Sequence, residues 1–210
     1  MKITCKLFNN NSNKKKLFIF IHGYGASGDD FTQLYNIFSN ELDDYYFIAP
    51  NAPHRCELSD GYQWFSLSSL EPELLFVELA KITPIFLDWY NDIKQQYNIQ
   101  DEDISILGFS QGAMLALFSF LRCDYAPRHI IAHSGALIHL EEYNSHIINK
   151  DANILLIHGE LDNVIPIEMF NNTCNILHNL DIPLKSISLP YLEHNINEET
   201  IKNIIRFIVD

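Results

Sequence analysis

The sequence is poor in basic residues and lacks any long apolar run. Lys and Arg together number 14 against 27 Asp and Glu, which gives a net charge of −13 at pH 7. A chain this acidic offers no basic surface for nucleic acid or anionic lipid. No segment has the roughly 18 uninterrupted apolar residues of a membrane-spanning helix. We therefore expect that the chain binds no nucleic acid and is not a membrane protein.

Cysteines are few and scattered. None of the four forms a C-x-x-C pair, and neither they nor the histidines have the spacing of a metal site. The first residues, Met1–Lys6, lack the apolar stretch of a signal peptide. These features predict a reduced, cytoplasmic protein that uses no metal ion and no organic cofactor.

Short apolar runs alternate with longer amphipathic segments along the chain, whose 210 residues suit a single domain, 1–210. The apolar runs predict strands at Leu17–Ile21, Tyr46–Ala49, Ile104–Leu107, His129–His133, Ile154–Ile157 and Leu184–Ser188. The amphipathic segments predict helices at Asp30–Leu42, Glu73–Tyr97 (bent or begun afresh at Pro84), Gly112–Leu121, Ile167–Leu177 and Glu198–Ile208. This order predicts an α/β fold, with helices on both faces of a mostly parallel sheet and ligands at the carboxyl ends of its strands.

A G-x-S-x-G motif lies between a predicted strand and a predicted helix. Gly108–Gly112 reads Gly-Phe-Ser-Gln-Gly, directly after the strand that ends at Leu107. This motif makes a tight, strained turn that projects the serine hydroxyl above the sheet, beside the positive end of a helix. Ser110 is therefore the predicted nucleophile of an acyl-transfer reaction.

A second glycine-rich loop, His22–Gly28, follows the first predicted strand. Its spacing matches neither G-x-G-x-x-G nor the phosphate-binding P-loop. In hydrolases with the G-x-S-x-G turn, such a loop brings a backbone N–H up to the nucleophile. We expect the amides of Tyr24 and Gln111 to form the oxyanion hole, and His22 to support the loop by packing and hydrogen bonding.

An acid and a base follow the serine in the required chain order. Asp162 lies in the loop after the strand Ile154–Ile157, and Glu160 is the rival acid, nearer the strand end. His194 is the one histidine that follows the last predicted strand. The sequence thus predicts a catalytic triad of Ser110, Asp162 and His194.

These motifs together resemble the phospholipase/carboxylesterase family of α/β-hydrolases, which includes acyl-protein thioesterases and small bacterial carboxylesterases. The similarity rests on His22–Gly25, Ala49–Pro53, Gly108–Ala113, His158–Gly159 with Asp162, and Glu193–His194. It implies a hydrolase without a separate lid domain, acting on small-molecule or acylated substrates, and often a homodimer. It also supports Tyr24 and Gln111 as oxyanion donors, although family members usually carry Leu where Tyr24 stands.

Two residues are candidates for substrate binding. Trp64 belongs to a Trp-Phe stretch that resembles the segment beside the family's active site, and it either lines the acyl pocket or packs in the core. Leu70 lies in the apolar segment Ser68–Leu75, which is either a flap over the acyl chain or the start of a buried helix.

Four other functions compete with this interpretation. A lysophospholipase or an esterase for small esters would use the same triad, so pocket depth would have to distinguish them. A dienelactone-type hydrolase is disfavoured because Ser, not Cys, occupies the nucleophile position. A non-catalytic binding module of the same fold would usually have lost at least one triad member, whereas all three candidates are present here.

Overall fold

The computed structural model describes residues 3–9, 14–56, 59–140, 146–149 and 152–210. In these ranges the strands are β1 (Thr4–Leu7), β2 (Lys16–Ile21), β3 (Tyr45–Asn51), β4 (His54–Arg55), β5 (Tyr62–Gln63), β6 (Ile104–Phe109), β7 (His129–His133), β8 (Ile154–Gly159) and β9 (Leu184–Leu189). The α-helices are α1 (Thr32–Glu41), α2 (Pro72–Tyr97), α3 (Gln111–Phe120), α4 (Ile167–Asn179) and α5 (Glu198–Val209). Short 3₁₀ turns cover Gly28–Phe31 and Asp101–Asp103.

Seven strands form one sheet in the order β1-β3-β2-β6-β7-β8-β9. Each neighbouring pair is parallel except β1 and β3, which pair antiparallel at one edge. All six strands predicted from apolar runs are present in this sheet. The predicted mostly parallel sheet is therefore confirmed. The carboxyl ends of its parallel strands all lie at the same end of the sheet.

Helices cover both faces of the sheet. Buried side chains of α2, α3 and α4 pack with one set of strand residues, which includes Ile19, Ile106 and Leu156. Buried side chains of α1 and α5 pack with the alternate set, which includes Phe20 and Leu107. Because successive side chains of a strand point to opposite faces, strands buried on both sides are apolar throughout, which is why they were recognisable in the sequence.

Helix α2 continues through Pro84 instead of starting afresh there, so that alternative is wrong. Proline removes one hydrogen bond and costs a helix about 3 kcal/mol or more. Buried side chains on both sides of the proline, such as Leu79, Phe86 and Tyr90, each contribute about 1.5–3 kcal/mol on burial. Packing therefore outweighs the local cost.

Strand β1 was not predicted, because its residues Thr-Cys-Lys-Leu lack the apolar pattern of a buried strand. It adds to the sheet edge by backbone pairing with β3, which any polar sequence can make. Within the described ranges, no helix has both the length and the apolar character needed to cross a bilayer.

Candidate active site

Ser110 lies in the turn between β6 and α3, with φ of 53° and ψ of −116°. Positive φ is rare for a residue with a side chain, and such strain costs of order 1–3 kcal/mol. The Ser110 N–H donates to the carbonyl of His133 at 2.9 Å, which anchors the turn to the end of β7. The structure thus gives Ser110 the strained geometry that the motif predicts for a nucleophile.

The glycines around Ser110 are required by close backbone approaches. A Cβ at Gly112 would lie 2.2 Å from the carbonyl oxygen of Ile21, and one at Gly108 would lie 2.5 Å from the carbonyl oxygen of Gly112. A Cβ at Gly23 would lie 3.1 Å from the Cβ of Ser110. The first contact brings α3 against β2, the second brings it against β6, and the third puts the loop after β2 directly beside the serine.

Gln111 is the first residue of α3, so its N–H has no acceptor within the helix. Both polar atoms of its buried side-chain amide form hydrogen bonds with the backbone of a neighbouring segment. Oε1 accepts from the N–H of Trp64 at 2.8 Å, and Nε2 donates to the carbonyl of Phe65 at 2.9 Å. The residue after the nucleophile therefore fixes the Trp64–Phe65 backbone against the start of α3.

His22 is buried beneath the loop after β2. Its Nε2 accepts from the N–H of Ala52 at 3.1 Å, and its Nδ1 lies 2.7 Å from the carbonyl oxygen of Gly23. Since a carbonyl can only accept, these two contacts assign the proton to Nδ1. Burial lowers the pKa of His22, which agrees with a neutral ring. The indole N–H of Trp64 donates to the backbone carbonyl of His22 at 3.0 Å and completes the support.

Tyr24 is half-buried in a turn in which the Ala26 N–H approaches the Gly23 carbonyl oxygen at 3.4 Å. Gly25 supplies the positive φ, 77°, that the turn requires. In the planar trans peptide between Gly23 and Tyr24, the N–H points opposite to the carbonyl. That carbonyl is bonded to the imidazole beneath the loop, so the N–H faces away from the imidazole. This peptide lies beside Ser110, as the Gly23 contact shows.

Asp162 and His194 are joined by a hydrogen bond of 2.7 Å between His194 Nδ1 and Asp162 Oδ2. The other carboxylate oxygen, Oδ1, accepts from the N–H of Val164 at 2.9 Å and of Ile165 at 2.8 Å. The Asp162 side chain is 0% exposed and that of His194 is 16% exposed. The carboxylate therefore orients the imidazole while its own loop holds it in place.

The pKa of Asp162 reflects two opposed effects. Burial raises the pKa of its carboxyl group, but hydrogen bonds from Ile165, His194 and Val164 together outweigh burial, so the pKa lies below its usual value. Asp162 is accordingly ionised at neutral pH. A buried anion at this position stabilises a positive charge on His194 when the imidazole takes up a proton.

The rival acid, Glu160, makes a different contact. Its Oε1 accepts from the hydroxyl of Ser188 at 2.9 Å, on the side of β9. A second imidazole, that of His158, also lies near the carboxylate, with Nε2 3.6 Å from Asp162 Oδ2, but it bonds to the carbonyl of Ile165 at 2.7 Å instead. Among the candidates, Asp162 alone is bonded to His194.

No direct hydrogen bond joins the Ser110 hydroxyl to the His194 imidazole in the described part of the chain. The ring of Phe109, next to the serine, packs against the His194 ring with 4.9 Å between centroids. Catalytic hydrogen bonds in enzymes without substrate are often long and tighten only in the complex.

The two residues predicted to bind substrate have opposite environments. Trp64 is 0% exposed and packs between His22 and Phe86, so its indole lies in the core beneath the loops. Leu70 is 74% exposed and precedes α2, which begins at Pro72.

Two contributions to the site were not anticipated from the sequence. One is the carbonyl of His133, which accepts from the Ser110 N–H, and the other is the pair of backbone donors that hold Asp162. Both involve backbone atoms, which carry no residue-type signal. Within the described ranges, no group of three or more His, Cys, Asp or Glu side chains is arranged to hold a metal ion.

Comparisons with known proteins identify the family of the chain. A family model described as Phospholipase/Carboxylesterase matches residues 5–210. The chain is 29% identical over 219 residues to acyl-protein thioesterase 1 of Candida albicans, covering 95% of this chain and 93% of the relative. It is 29% identical over 204 residues to acyl-protein thioesterase 1 homolog 1 of Dictyostelium discoideum, covering 90% and 88%.

Solved structures show the same fold. The chain resembles the crystal structure of esterase PE8 with a TM-score of 0.88 and 29% identity, covering 100% of this chain and 99% of the other. Arabidopsis thaliana SOBER1 resembles it with a TM-score of 0.80 at 21% identity, covering 93% and 98%, which bears on the fold alone. The predicted α/β-hydrolase fold is confirmed.

Proposed function

This chain belongs to the phospholipase/carboxylesterase family, and from that premise we propose that it hydrolyses acyl esters or thioesters through an acyl-enzyme on Ser110. The proposed triad is Ser110, His194 and Asp162. The observation that carries the proposal is the 2.7 Å hydrogen bond between His194 and the buried Asp162 carboxylate, at the same sheet edge as the strained Ser110 turn. A nucleophile, a base and an orienting acid are the groups that acyl transfer requires.

Acylation follows from these three groups. The Ser110 oxygen attacks the acyl carbon while Nε2 of His194 removes the hydroxyl proton. The tetrahedral intermediate collapses as the imidazolium gives that proton to the departing alcohol or thiol, which leaves the acyl group on the serine. Asp162 keeps the proton of the neutral imidazole on Nδ1, so that Nε2 is free to act as the base.

Deacylation repeats the same steps with water. His194 removes a proton from a water molecule as the water oxygen attacks the acyl-enzyme carbonyl. The second intermediate releases the carboxylic acid when the imidazolium returns the proton to the Ser110 oxygen. Substrate and water are consumed and an acid and an alcohol or thiol are formed, with the enzyme unchanged.

We propose the N–H groups of Tyr24 and Gln111 as the oxyanion hole. The Gln111 N–H is unpaired within α3 and lies at the positive end of that helix, next to Ser110. The Tyr24 N–H belongs to the peptide that runs beside the serine and is held by His22. A donor of this kind stabilises the transition state by about 3–4 kcal/mol.

The substrate is proposed to carry an acyl chain. Two relatives are named acyl-protein thioesterases and one structural neighbour an esterase, and all are matched over most of their length. Leu70 is an exposed apolar side chain on the segment that follows Trp64 and Phe65. We propose that Leu70 contacts the acyl chain, while Trp64 shapes the site from below by supporting His22.

The test is hydrolysis of p-nitrophenyl esters from acetate to palmitate, of a palmitoyl thioester and of a lysophospholipid, by wild type and Ser110→Ala. The proposal predicts turnover that peaks at one chain length and is lost in the variant. A preference for the thioester identifies a deacylase, whereas a preference for the lysophospholipid identifies a lysophospholipase. Wild type that turns over none of these substrates and resists a fluorophosphonate would contradict the proposal and favour a binding module.

We also propose a cytoplasmic location and a homodimer. The four cysteines are scattered along the chain and form no C-x-x-C pair, which supports a reducing compartment. The homodimer is carried by family resemblance, and light scattering after size-exclusion chromatography measures it directly. A mass of one chain would contradict it.

A further inference from the structure

Strand β7 ends in His133, a histidine that the proposed mechanism does not use. The residue is 0% exposed, and its ring packs against Phe109 with 5.5 Å between ring centroids. Its backbone carbonyl accepts the hydrogen bond from the Ser110 N–H. The main chain of His133 thus holds the nucleophile turn, and its side chain is left to make other contacts.

The His133 ring is bonded at both nitrogens. Its Nε2 lies 3.2 Å from the hydroxyl of Thr200, and its Nδ1 lies 3.0 Å from the hydroxyl of Ser134. Thr200 gives its single hydroxyl proton to Oδ1 of Asn197 at 3.1 Å, so it can only accept from the ring. The proton therefore lies on Nε2, and Nδ1 accepts from Ser134. Burial, aided by nearby imidazoles, lowers the pKa of His133 to about 3, so the ring stays neutral.

The bond to Thr200 leads to the segment that carries the base. Asn197 is the N-cap of α5, and its Oδ1 also accepts from the N–H of Thr200 at 2.9 Å. This cap lies three residues after His194 in the chain. The His133 ring therefore holds the point at which the loop of the base enters its helix.

We propose that His133 is a positioning residue that sets the approach of Ser110 to His194. It holds the nucleophile turn by its carbonyl and the loop of the base by its imidazole. The inference rests on the proposed function, because it takes Ser110 as nucleophile and His194 as base.

A histidine is an unfavourable choice for packing alone. An apolar side chain of similar size would fill this site, whereas a buried imidazole needs a partner for each nitrogen. Here both partners belong to the site, Ser134 at the end of β7 and Thr200 at the start of α5. The ring thus links the end of β7, whose last carbonyl holds the Ser110 turn, to the start of α5, which follows the loop of His194.

The same strand offers a matched control. His129, at the other end of β7, is also buried, and its Nδ1 bonds to the hydroxyl of Ser105 at 2.9 Å. Its ring packs on Phe207, near the end of α5, with 5.2 Å between centroids. His129 links the same strand to the same helix, but at the end of the sheet away from Ser110.

The experiment compares His133→Leu, His133→Gln, Thr200→Val, Thr200→Ser and His129→Leu in kcat, KM and thermal midpoint. Each enzyme concentration is corrected by titration with a fluorophosphonate. Because small displacements of catalytic groups cost up to about 100-fold in rate, we expect His133→Leu and Thr200→Val to lower kcat roughly 10- to 100-fold. KM should stay within about twofold, because these variants displace catalytic groups and leave acyl-chain contacts intact.

Three further results are expected. Glutamine at 133 and serine at 200 keep a donor and an acceptor, so both variants retain most of kcat. The double variant His133→Leu/Thr200→Val is no slower than either single one, since both remove one link. His129→Leu lowers the thermal midpoint and keeps the wild-type kcat.

Other outcomes overturn the inference. If folded His133→Leu keeps the wild-type kcat, the hydrogen bond between His133 and Thr200 has no part in positioning. If His133→Leu does not fold, the same result in folded Thr200→Val leads to the same conclusion. An equal fall of kcat in His129→Leu assigns the effect to stability. If wild type is inactive, the proposed function is wrong. If wild type is active and the His133 and Thr200 variants are as active as wild type, only the proposed role of His133 is wrong.

Discussion

The carboxylate of Asp162 bonds His194 through one oxygen and its own loop through the other. Oδ2 accepts from the imidazole at 2.7 Å, while Oδ1 accepts two backbone N–H groups. This division of roles lets orientation of the base be changed without disturbing the loop.

Asparagine at position 162 should separate catalysis from folding. In Asp162→Asn, Oδ1 keeps its two backbone donors, but an NH₂ group replaces the oxygen that faces His194. The imidazole then carries its proton on the wrong nitrogen, and we expect kcat to fall by roughly 10⁴-fold with little change in thermal midpoint. The measurement is steady-state hydrolysis of a p-nitrophenyl ester.

Glu160→Gln is the matched control for that prediction, since Glu160 bonds to Ser188 and not to His194. It should retain wild-type kcat. Loss of activity in Glu160→Gln together with an active Asp162→Asn would reverse the assignment of the acid.

Removing the side-chain amide of Gln111 should destabilise the protein. Gln111→Leu leaves the N–H of Trp64 and the carbonyl of Phe65 buried without their partner, at a cost of about 1–3 kcal/mol for each group. Urea unfolding measures the loss. Gln95→Leu, on the exposed side of α2, is the control and should lie within about 0.5 kcal/mol of wild type. Equal stability of the two variants would show that the hydrogen bonds of the Gln111 side chain contribute nothing to folding.

Stability should fall in mild acid because of buried histidines. Burial, with the charges of Arg128 and Lys16, lowers the pKa of His129 to about 4. The unfolded chain, with a histidine pKa of about 6.5, then binds the proton first, so folding is favoured less as pH falls below about 6.5. This residue should remove about 1.4 kcal/mol of unfolding free energy per pH unit until pH approaches its folded pKa.

The check is urea unfolding of wild type and His129→Leu between neutral pH and mild acid. As the pH falls, the unfolding free energy of wild type should decrease more than that of His129→Leu. Parallel curves for the two proteins would mean that His129 takes up its proton equally in the folded and unfolded states.

Leu70 should affect long acyl chains more than short ones. Leu70→Ser removes an exposed apolar contact, worth about 25 cal/mol for each square ångström buried by the substrate. We expect KM for the palmitoyl ester to rise severalfold while KM for the acetyl ester is unchanged. Val209→Ser replaces an exposed apolar residue at the end of α5 and should change neither value. An equal response of both chain lengths to Leu70→Ser would rule out an acyl-chain contact.

The sequence predicted those features that depend on local pattern. Apolar runs identified six of the seven strands of the main sheet, and the G-x-S-x-G turn predicted the strained backbone of Ser110. Chain order and strand ends selected Asp162 and His194, which the structure joins by a hydrogen bond. These features are visible because each depends on residues that are close in the chain or on a strict order of motifs.

Features that depend on distant partners were not visible. The bonds from Gln111 to Trp64 and from His133 to Thr200 span 47 and 67 residues. The continuity of α2 through Pro84 depends on packing against the sheet, which outweighs a local propensity. The burial of Trp64 likewise follows from its position beneath two loops and not from its neighbours in the chain.

The most direct test of the central claim is mass spectrometry of the protein after reaction with a fluorophosphonate, which bonds only to an activated serine. The proposed triad predicts one adduct, on the peptide that contains Ser110. It also predicts no adduct in Ser110→Ala and labelling slowed at least about 100-fold in His194→Ala. An adduct on another residue, or undiminished labelling of Ser110→Ala, would contradict the account.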